Sequence, residues 1–440
     1  MQFPDTIFAL SSGKPPSGVA VIRISGPRSQ AIMRAVAGGV PATRKAVLTT
    51  LRSAQGDVID RGLAIFFPGP GSFTGEDCAE FHLHGGRAVV SAMLAMLSGF
   101  EGLRPAEAGE FTRRAFLNGK MDLVEAEALA DLVAAETEAQ RRFALAGAGG
   151  SQSGLYAGWR KRIMHARAMI EAELDFADEA DVPGSVAAAV WDDVRHLVNE
   201  IEAHVAGFHQ AEIIREGYSV VIAGAPNAGK SSLLNALARR DVAIVTDEPG
   251  TTRDLVHVAL DLGGVKVVVT DTAGIREDAG KVEAIGIERA LDSVRAADLL
   301  LLLEDVAAPA GLPVPGTDAP VLKIGSKADL VGDASALGGY DAVVSARSGA
   351  GVNDLLTMIS RQAGAASDLH GGIIPARARH VGLLKDAARS LIEAASHHED
   401  RLELRAECLR RAADSFGRIA GTIDVEDVLG VIFSEFCIGK

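Results

Sequence analysis

The 440 residues predict a multidomain chain of the α/β plus α class: an α+β domain at the N-terminus, then a helical domain split in sequence around an inserted α/β domain. Three observations predict this. Short β-prone runs broken by Gly and Pro fill residues 1–120; an Ala/Glu/Leu/Arg texture with helical spacing fills 121–215 and returns over 365–440; strand-like and helix-like runs alternate over 216–364. One interrupted helical domain is the simplest reading, because domain termini often lie close together. Two separate helical domains are the alternative.

In the first segment the strand signals are Gly18 to Ile24, Leu63 to Phe67 and Cys78 to Leu83. Leu123, Leu129 and Leu132-Val133 then mark one helix and Leu155 to Phe176 a second. A third runs from Val186 to His209, with Val190, Val194, Leu197-Val198 and Ile201 on one face, after a break at Pro183-Gly184-Ser185. Beyond Pro375, Val381 to Ala395 and Leu402 to Phe416 read as helices.

Apolar content of 48% and charged content of 23% fit a soluble globular protein, and 440 residues suffice for two to four cores. The apolar run Leu299 to Leu303 has strand length, far short of a membrane span, and the N-terminus lacks a basic region followed by an apolar stretch. Three cysteines, Cys78, Cys408 and Cys437, make no disulfide framework, so a reducing cytoplasm is expected. A net charge of −14 argues against gripping nucleic acid through a broad basic face of its own. A nucleic-acid substrate would need positive surface from a partner.

The inserted segment carries the chemistry. Gly224 to Ser231 spells G-x-x-x-x-G-K-S between an apolar strand, Tyr218 to Ala223, and a helix, Ser232 to Ala238. Such a loop aims backbone N–H groups at a triphosphate; Asn227, Ala228, Gly229, Lys230, Ser231 and Ser232 would line it, with Lys230 reaching the outer phosphates and the Ser231 hydroxyl joining Mg²⁺. Gly250-Thr251-Thr252-Arg253-Asp254 offers threonine hydroxyls, Thr252 to Mg²⁺. Asp271-Thr272-Ala273-Gly274 ends the strand Val265 to Thr270, setting Asp271 beside the metal and the Gly274 N–H beside the γ-phosphate. Val256 to Leu262 and Val265 to Thr270 flank Gly263-Gly264 as a hairpin, the antiparallel edge of Ras-like domains.

Ser326-Lys327-Ala328-Asp329 follows the strand Val321 to Gly325, and Ser345-Ala346-Arg347 follows Asp341 to Val344. These resemble the base-reading elements of translation-factor-like GTPases, in which N-K-x-D reads guanine. Asp329 can accept two hydrogen bonds from the guanine edge, which adenine cannot reciprocate. Ser326 stands where that pattern has asparagine; being shorter, it is expected to lose a contact that steadies the loop and to weaken GTP binding. Ile275 follows Gly274 and cannot orient an attacking water, so hydrolysis must borrow another group; Glu277, Asp278 and Glu283 are the acidic candidates, and no arginine finger is assigned.

With Asn227 in the loop, Asp271 to Arg276 and the terminal Phe436-Cys437-Ile438-Gly439-Lys440, the chain resembles the MnmE (TrmE) family of tRNA uridine-modification GTPases. Asp5-Thr6-Ile7, Arg23 to Gly26, Thr74 to Asp77, Gly109 to Thr112 and Ala115 to Lys120 extend the resemblance over nearly the whole chain. It implies an N-terminal domain that binds 5-formyltetrahydrofolate or a related one-carbon folate and holds a homodimer. Arg23, Glu80, Lys120 and Lys440 occupy the folate-contacting positions; Arg23 and Lys120 suit the glutamate tail's carboxylates, and Glu80 suits pterin N–H groups. It further implies activation by K⁺, held by Asn227 and by Thr246, Glu248 and Thr251 of the following loop, where an arginine finger would sit. Glu283 aligns with the acid that orients water, and Cys437 with a cysteine needed for tRNA modification beside the folate site; a solvated helix residue and a buried cysteine are the plain alternatives. The implied assembly pairs the homodimer with an FAD-dependent MnmG-type (GidA-type) partner in a heterotetramer or larger complex acting on tRNA, away from membranes.

Two further patterns need weighing. Cys437 near the terminus invites prenylation, which Gly439 and Lys440 fit poorly. Cys78, Glu80, His82 and His84 would share one strand face, a crowded metal set. A ribosome-assembly or regulatory RNA-binding GTPase is the rival reading, but neither a G-x-x-G RNA-binding domain nor a basic run supports it.

Overall fold

In a computed structural model the described residues are 3–175, 185–244, 257–271, 291–309, 311, 316–331, 338–368, 372–398, 401–423, 426–434, 436 and 439. Thr246, Glu248, Thr251, Thr252, Gly274, Ile275, Glu277, Asp278, Glu283, Cys437 and Lys440 lie outside them, as does the break at 183–184. The chain forms two compact units, one of residues 1–130, 148–165 and 409–440, the other of 131–147 and 166–408.

The first unit is built on a six-stranded sheet of order β3-β4-β5-β2-β1-β6. Its strands are β1 (Thr6–Leu10), β2 (Ser17–Ser25), β3 (Val47–Arg52), β4 (Val58–Phe67), β5 (Cys78–Gly85) and β6 (Leu103–Pro105). Alternation decides the faces. Ala20, Ile22 and Ile24 of β2 and Ala79, Phe81 and Leu83 of β5 enter one core, against Met33 of α1 (Ser29–Ala37) and Met93 of α2 (Arg87–Ser98). Arg23 and Glu80 therefore point to the opposite face, directly across the β2/β5 register. There, Phe111 of α3 (Glu110–Leu117) packs on Ile7 and Ala9 of β1.

The helices that follow are α4 (Leu123–Ala134), α5 (Glu138–Ala148), α6 (Ser151–Asp175), α7 (Ser185–Ala206) and α8 (Phe208–Glu216). The segment expected as one helix to His209 is broken at Gly207, where a Cβ would stand 2.4 Å from Ile374 Cγ2.

In the second unit another six-stranded sheet has the order β12-β11-β10-β7-β9-β8. These are β7 (Tyr218–Gly224), β8 (His257–Leu262), β9 (Val265–Asp271), β10 (Leu299–Asp305), β11 (Val321–Ser326) and β12 (Ala342–Val343). All pairs are parallel except β8/β9, the expected antiparallel edge. Their turn residues Gly263 and Gly264 have φ of +69° and +87°, the left-handed conformations a tight hairpin requires. β7 and β10 are central and read as unbroken apolar runs because both their faces are covered, with α9 (Lys230–Ala238) and α10 (Val352–Ala366) contributing to one core. The later helices are α11 (Ala378–Ser396), α12 (Leu402–Ala420) and α13 (Glu426–Ser434), the last unforeseen in sequence.

Candidate functional site

A parallel sheet offers ligands the crevice beyond its strand C-termini, and every described nucleotide-site residue lies at that edge. β7 leads into the loop 225–229, and α9 starts at Lys230, two residues earlier than its apolar pattern suggested. Asn227 and Gly229 hold left-handed φ of +64° and +93°, which turn the loop back on itself ahead of the helix N-terminus. Lys230 Nζ, in a buried residue, donates to Gly224 O at 3.1 Å and Ala225 O at 2.9 Å, so the ammonium lies across the loop. Ser231 Oγ donates to Asp271 Oδ2 at 2.6 Å. That contact joins two of the three residues expected at Mg²⁺, Ser231 and Asp271: a hydroxyl and a carboxylate are hard oxygen donors of the kind this ion takes, and they fit it.

The base-reading elements converge on the same edge. Ser326 Oγ donates to Ala228 O at 2.5 Å, with Glu304 O at 3.1 Å as a second acceptor near its single proton. The expectation that serine loses the steadying contact is therefore corrected: the short side chain is buried against the phosphate loop and reaches it directly. Lys327, at φ +59°, donates from Nζ to Asp305 Oδ2 at 2.6 Å, and this bond holds Asp305 below the usual carboxylate range. The buried Ser345 hydroxyl donates to Asp329 Oδ1 at 2.6 Å, the main reason the Asp329 carboxyl also titrates low. Arg347 adds a smaller Coulombic contribution. Asp329, an exposed residue, is thus kept ionised and oriented. Sequence pattern named Ser345 and Asp329 but gave no sign that one positions the other. Ser232 is exposed on the first turn of α9, and Ala346 is half-buried beside Ser345.

In the first unit, Arg23 Nε donates to Glu80 Oε1 at 3.0 Å, and Glu80 Oε2 lies 3.2 Å from His82 Nε2. The guanidinium stands 5.5 Å from the Phe73 ring centroid and 5.8 Å from that of Phe111. Arg23 and Glu80 engage each other, yet a guanidinium with five donors and a carboxylate with four acceptor positions keep capacity for a ligand. Lys120 Nζ donates to Pro70 O at 2.9 Å and Asn118 Nδ2 to Thr74 O at 2.7 Å. The loop 68–77 therefore carries Phe73 to Arg23 and its flanks to Lys120.

That loop is held from beneath by an ion network the sequence did not reveal. Arg114, 1% exposed, donates to Glu76 (3.3 Å), Glu110 (3.0 Å) and Asp5 (2.8 Å). Arg104 bonds Asp5 and Glu110 as well. Burial would raise the Glu110 and Asp5 carboxyls; the two arginines, joined at Glu110 by the Glu107 N–H, outweigh it and hold both below their ordinary values. Ser25 Oγ donates to Glu76 Oε2 at 2.7 Å, tying the loop to β2.

The chain's end reaches the same sheet. Ser11 Oγ, just past β1, donates to Gly439 O at 2.8 Å. Gly439 has φ +100°, and a Cβ there would stand 2.2 Å from Leu10 O, so only glycine fits. Leu10 pairs with Ile22, the neighbour of Arg23. The Cys78 to His84 face holds no ready metal set among the described residues: Cys78 lies 3.2 Å from Thr74 Oγ1, and His84 Nδ1 sits 2.9 Å from Asp60.

Residues 6–120 match the model of the GTP-binding protein TrmE N-terminus, and residues 123–437 that of the MnmE helical domain. The "tRNA modification GTPase MnmE" of Mesorhizobium japonicum is 63% identical over 440 residues, 99% of each chain. The chain belongs to the MnmE family. The Chelativorans sp. MnmE is 61% identical over 436 residues, 99% of this chain and 98% of its own. The helical-domain match spans residues 123–437 and so includes the nucleotide-site segment. A crystal structure of a point variant of Aquifex aeolicus Era bound to GDP and AlF4⁻ aligns at 23% identity over 41% of this chain and 68% of its own, with a TM-score of 0.26, too low to add to this.

Proposed function

We propose that this protein, a GTP-hydrolysing member of a tRNA-modification family, adds an aminomethyl or carboxymethylaminomethyl group at C5 of the wobble uridine, together with a flavoprotein partner. The division of labour would follow boundaries near residues 120, 215 and 364. GTP is read by Asp329, steadied by Ser345, and its phosphates meet the loop 225–229 and Lys230. Mg²⁺, when bound, supplies charge that offsets what develops between the β- and γ-phosphates; Ser231 and Asp271 are the described residues that would hold it. Asn227, exposed in the loop, would offer its side-chain oxygen to K⁺, and Glu283 would orient the attacking water.

The observation that carries the modification half of this reading is the seat of Gly439 on Leu10 and Ser11. It supports a C-terminal tetrapeptide lying on the sheet of Arg23 and Glu80, so that Cys437 and Lys440 would stand near a bound one-carbon folate. Homodimerisation, the MnmG-type partner and a cytoplasmic setting belong to the same reading; among the described residues no helix is long and apolar enough to cross a membrane. Mass spectrometry of tRNA nucleosides from a strain lacking the gene tests it. Loss of the C5-substituted wobble uridine is expected, and normal levels would overturn the proposal.

A further inference from the structure

Away from both sites, three donors of different chemistry converge where α11 gives way to α12. Glu393 and His397 are spaced i, i+4, which sets them on one face at the end of α11, and Cys408 stands in the second turn of α12. A carboxylate oxygen, an imidazole nitrogen and the Cys408 sulfur all lie within 4.8 Å of one another. Glu393 Oε1 and His397 Nε2 are 3.8 Å apart. Around a tetrahedral Zn²⁺, bonds of about 2.0–2.3 Å set neighbouring ligand atoms roughly 3.3–3.8 Å apart. The 4.8 Å spread is wider than this, so side-chain rotation would have to close the set.

The surroundings favour this use. Cys408 is buried, His397 half-buried and Glu393 exposed, so the set runs from core to solvent, where water could complete the coordination. The His397 carbonyl is gripped by Arg405 Nε and Nη2 at 3.1 and 2.7 Å, and that guanidinium is itself seated 4.4 Å over the Trp191 ring. His397 is thereby anchored through its backbone.

We propose that Glu393, His397 and Cys408 form a binding site for a thiophilic divalent cation, Zn²⁺ foremost, which staples α11 to α12. Mg²⁺ and Ca²⁺ are poor candidates, because a thiolate and an imidazole are the wrong donors for them. Binding requires Cys408 as thiolate, so its thiol proton leaves to solvent as the S–metal bond forms, with no redox change.

The test uses the full chain, stripped with chelator and titrated with Co²⁺, then with Zn²⁺. Expected are a cobalt–thiolate charge-transfer band saturating at one equivalent per chain, its displacement by Zn²⁺, and a higher melting temperature with Zn²⁺ bound. Cys408→Ser should abolish the band, while Cys78→Ser and Cys437→Ser leave it intact. His397→Gln and Glu393→Gln, which do not disturb the core, should each weaken Zn²⁺ at least ~10-fold, the usual cost of perturbing a metal site. Absence of the band, its survival in Cys408→Ser, or unchanged affinity in both surface variants would overturn the proposal. GTP hydrolysis should be the same in His397→Gln as in the parent, so failure of this proposal is distinguishable from failure of the GTPase reading.

Discussion

Ser326→Ala isolates one hydrogen bond between the base-reading strand and the phosphate loop. Ser326 is 4% exposed, and its hydroxyl donates to Ala228 O at 2.5 Å. It has one proton, so the nearby Glu304 carbonyl adds no second full bond. Deleting one buried bond and leaving its acceptor dry costs about 1–2 kcal/mol, or roughly 5- to 30-fold in an equilibrium constant. That cost falls on GTP affinity, because Ala228 sits in the loop that must keep its shape around phosphates. Displacement of a fluorescent guanine nucleotide measures it, with circular dichroism melting as the control for folding. Ser326→Asn should change affinity less than ~3-fold, since the tether already exists. Wild-type affinity in Ser326→Ala, or a large gain in Ser326→Asn, would refute the claim that serine substitutes for asparagine here.

Asp329→Asn should weaken GTP and favour xanthosine triphosphate, whose base presents the complementary edge; competition binding reads this, and equal affinity of the wild type for ATP and GTP would contradict it. GTP hydrolysis should be faster in K⁺ than in Na⁺ at equal ionic strength, and Asn227→Ala should remove most of that stimulation with nucleotide binding nearly unchanged; steady-state phosphate release in the two salts is the assay. Burial, with a smaller contribution from His380, lowers His204 from 6.5 to about 4, its Nδ1–H donating to Ile373 O at 2.9 Å. The unfolded chain therefore binds the proton first: stability is full above pH 6.5 and falls as pH drops toward 4, by on the order of 2 kcal/mol at pH 5. Urea unfolding at pH 7 and pH 5 should show that loss in the parent and a shallower slope in His204→Gln.

The nucleotide site was legible wherever a backbone constraint forces particular residues at fixed spacing. Gly229 must turn left-handed before the helix, and Gly263-Gly264 must do so twice to close the hairpin, so both left a mark in the sequence. Ser326 misled because the pattern carries residue types, while the contact depends on how closely β11 approaches the loop. β1 went unread because four of its five residues are buried, which erases alternation. α5 had a usable signal: Thr137 and Gln140 form a capping box, with Gln140 Oε1 accepting from the Thr137 N–H at 3.1 Å. The Arg114 network had none, since charged residues are almost never fully buried unless paired, and the partners Asp5, Glu76 and Glu110 are scattered over a hundred residues. What sequence cannot supply is the pairing of distant polar groups across a folded core.

We propose that GTP hydrolysis and uridine modification use different sites of one chain. Cys437→Ser tests it most directly, expressed in a strain lacking the chromosomal gene, with tRNA nucleosides quantified by mass spectrometry and GTP turnover measured on the purified protein. The substitution keeps size and hydrogen bonding while removing thiolate chemistry. Near-normal GTP turnover with the modified wobble uridine absent is expected. Modified uridine at wild-type levels, or its loss together with GTP turnover in a folded protein, would contradict it.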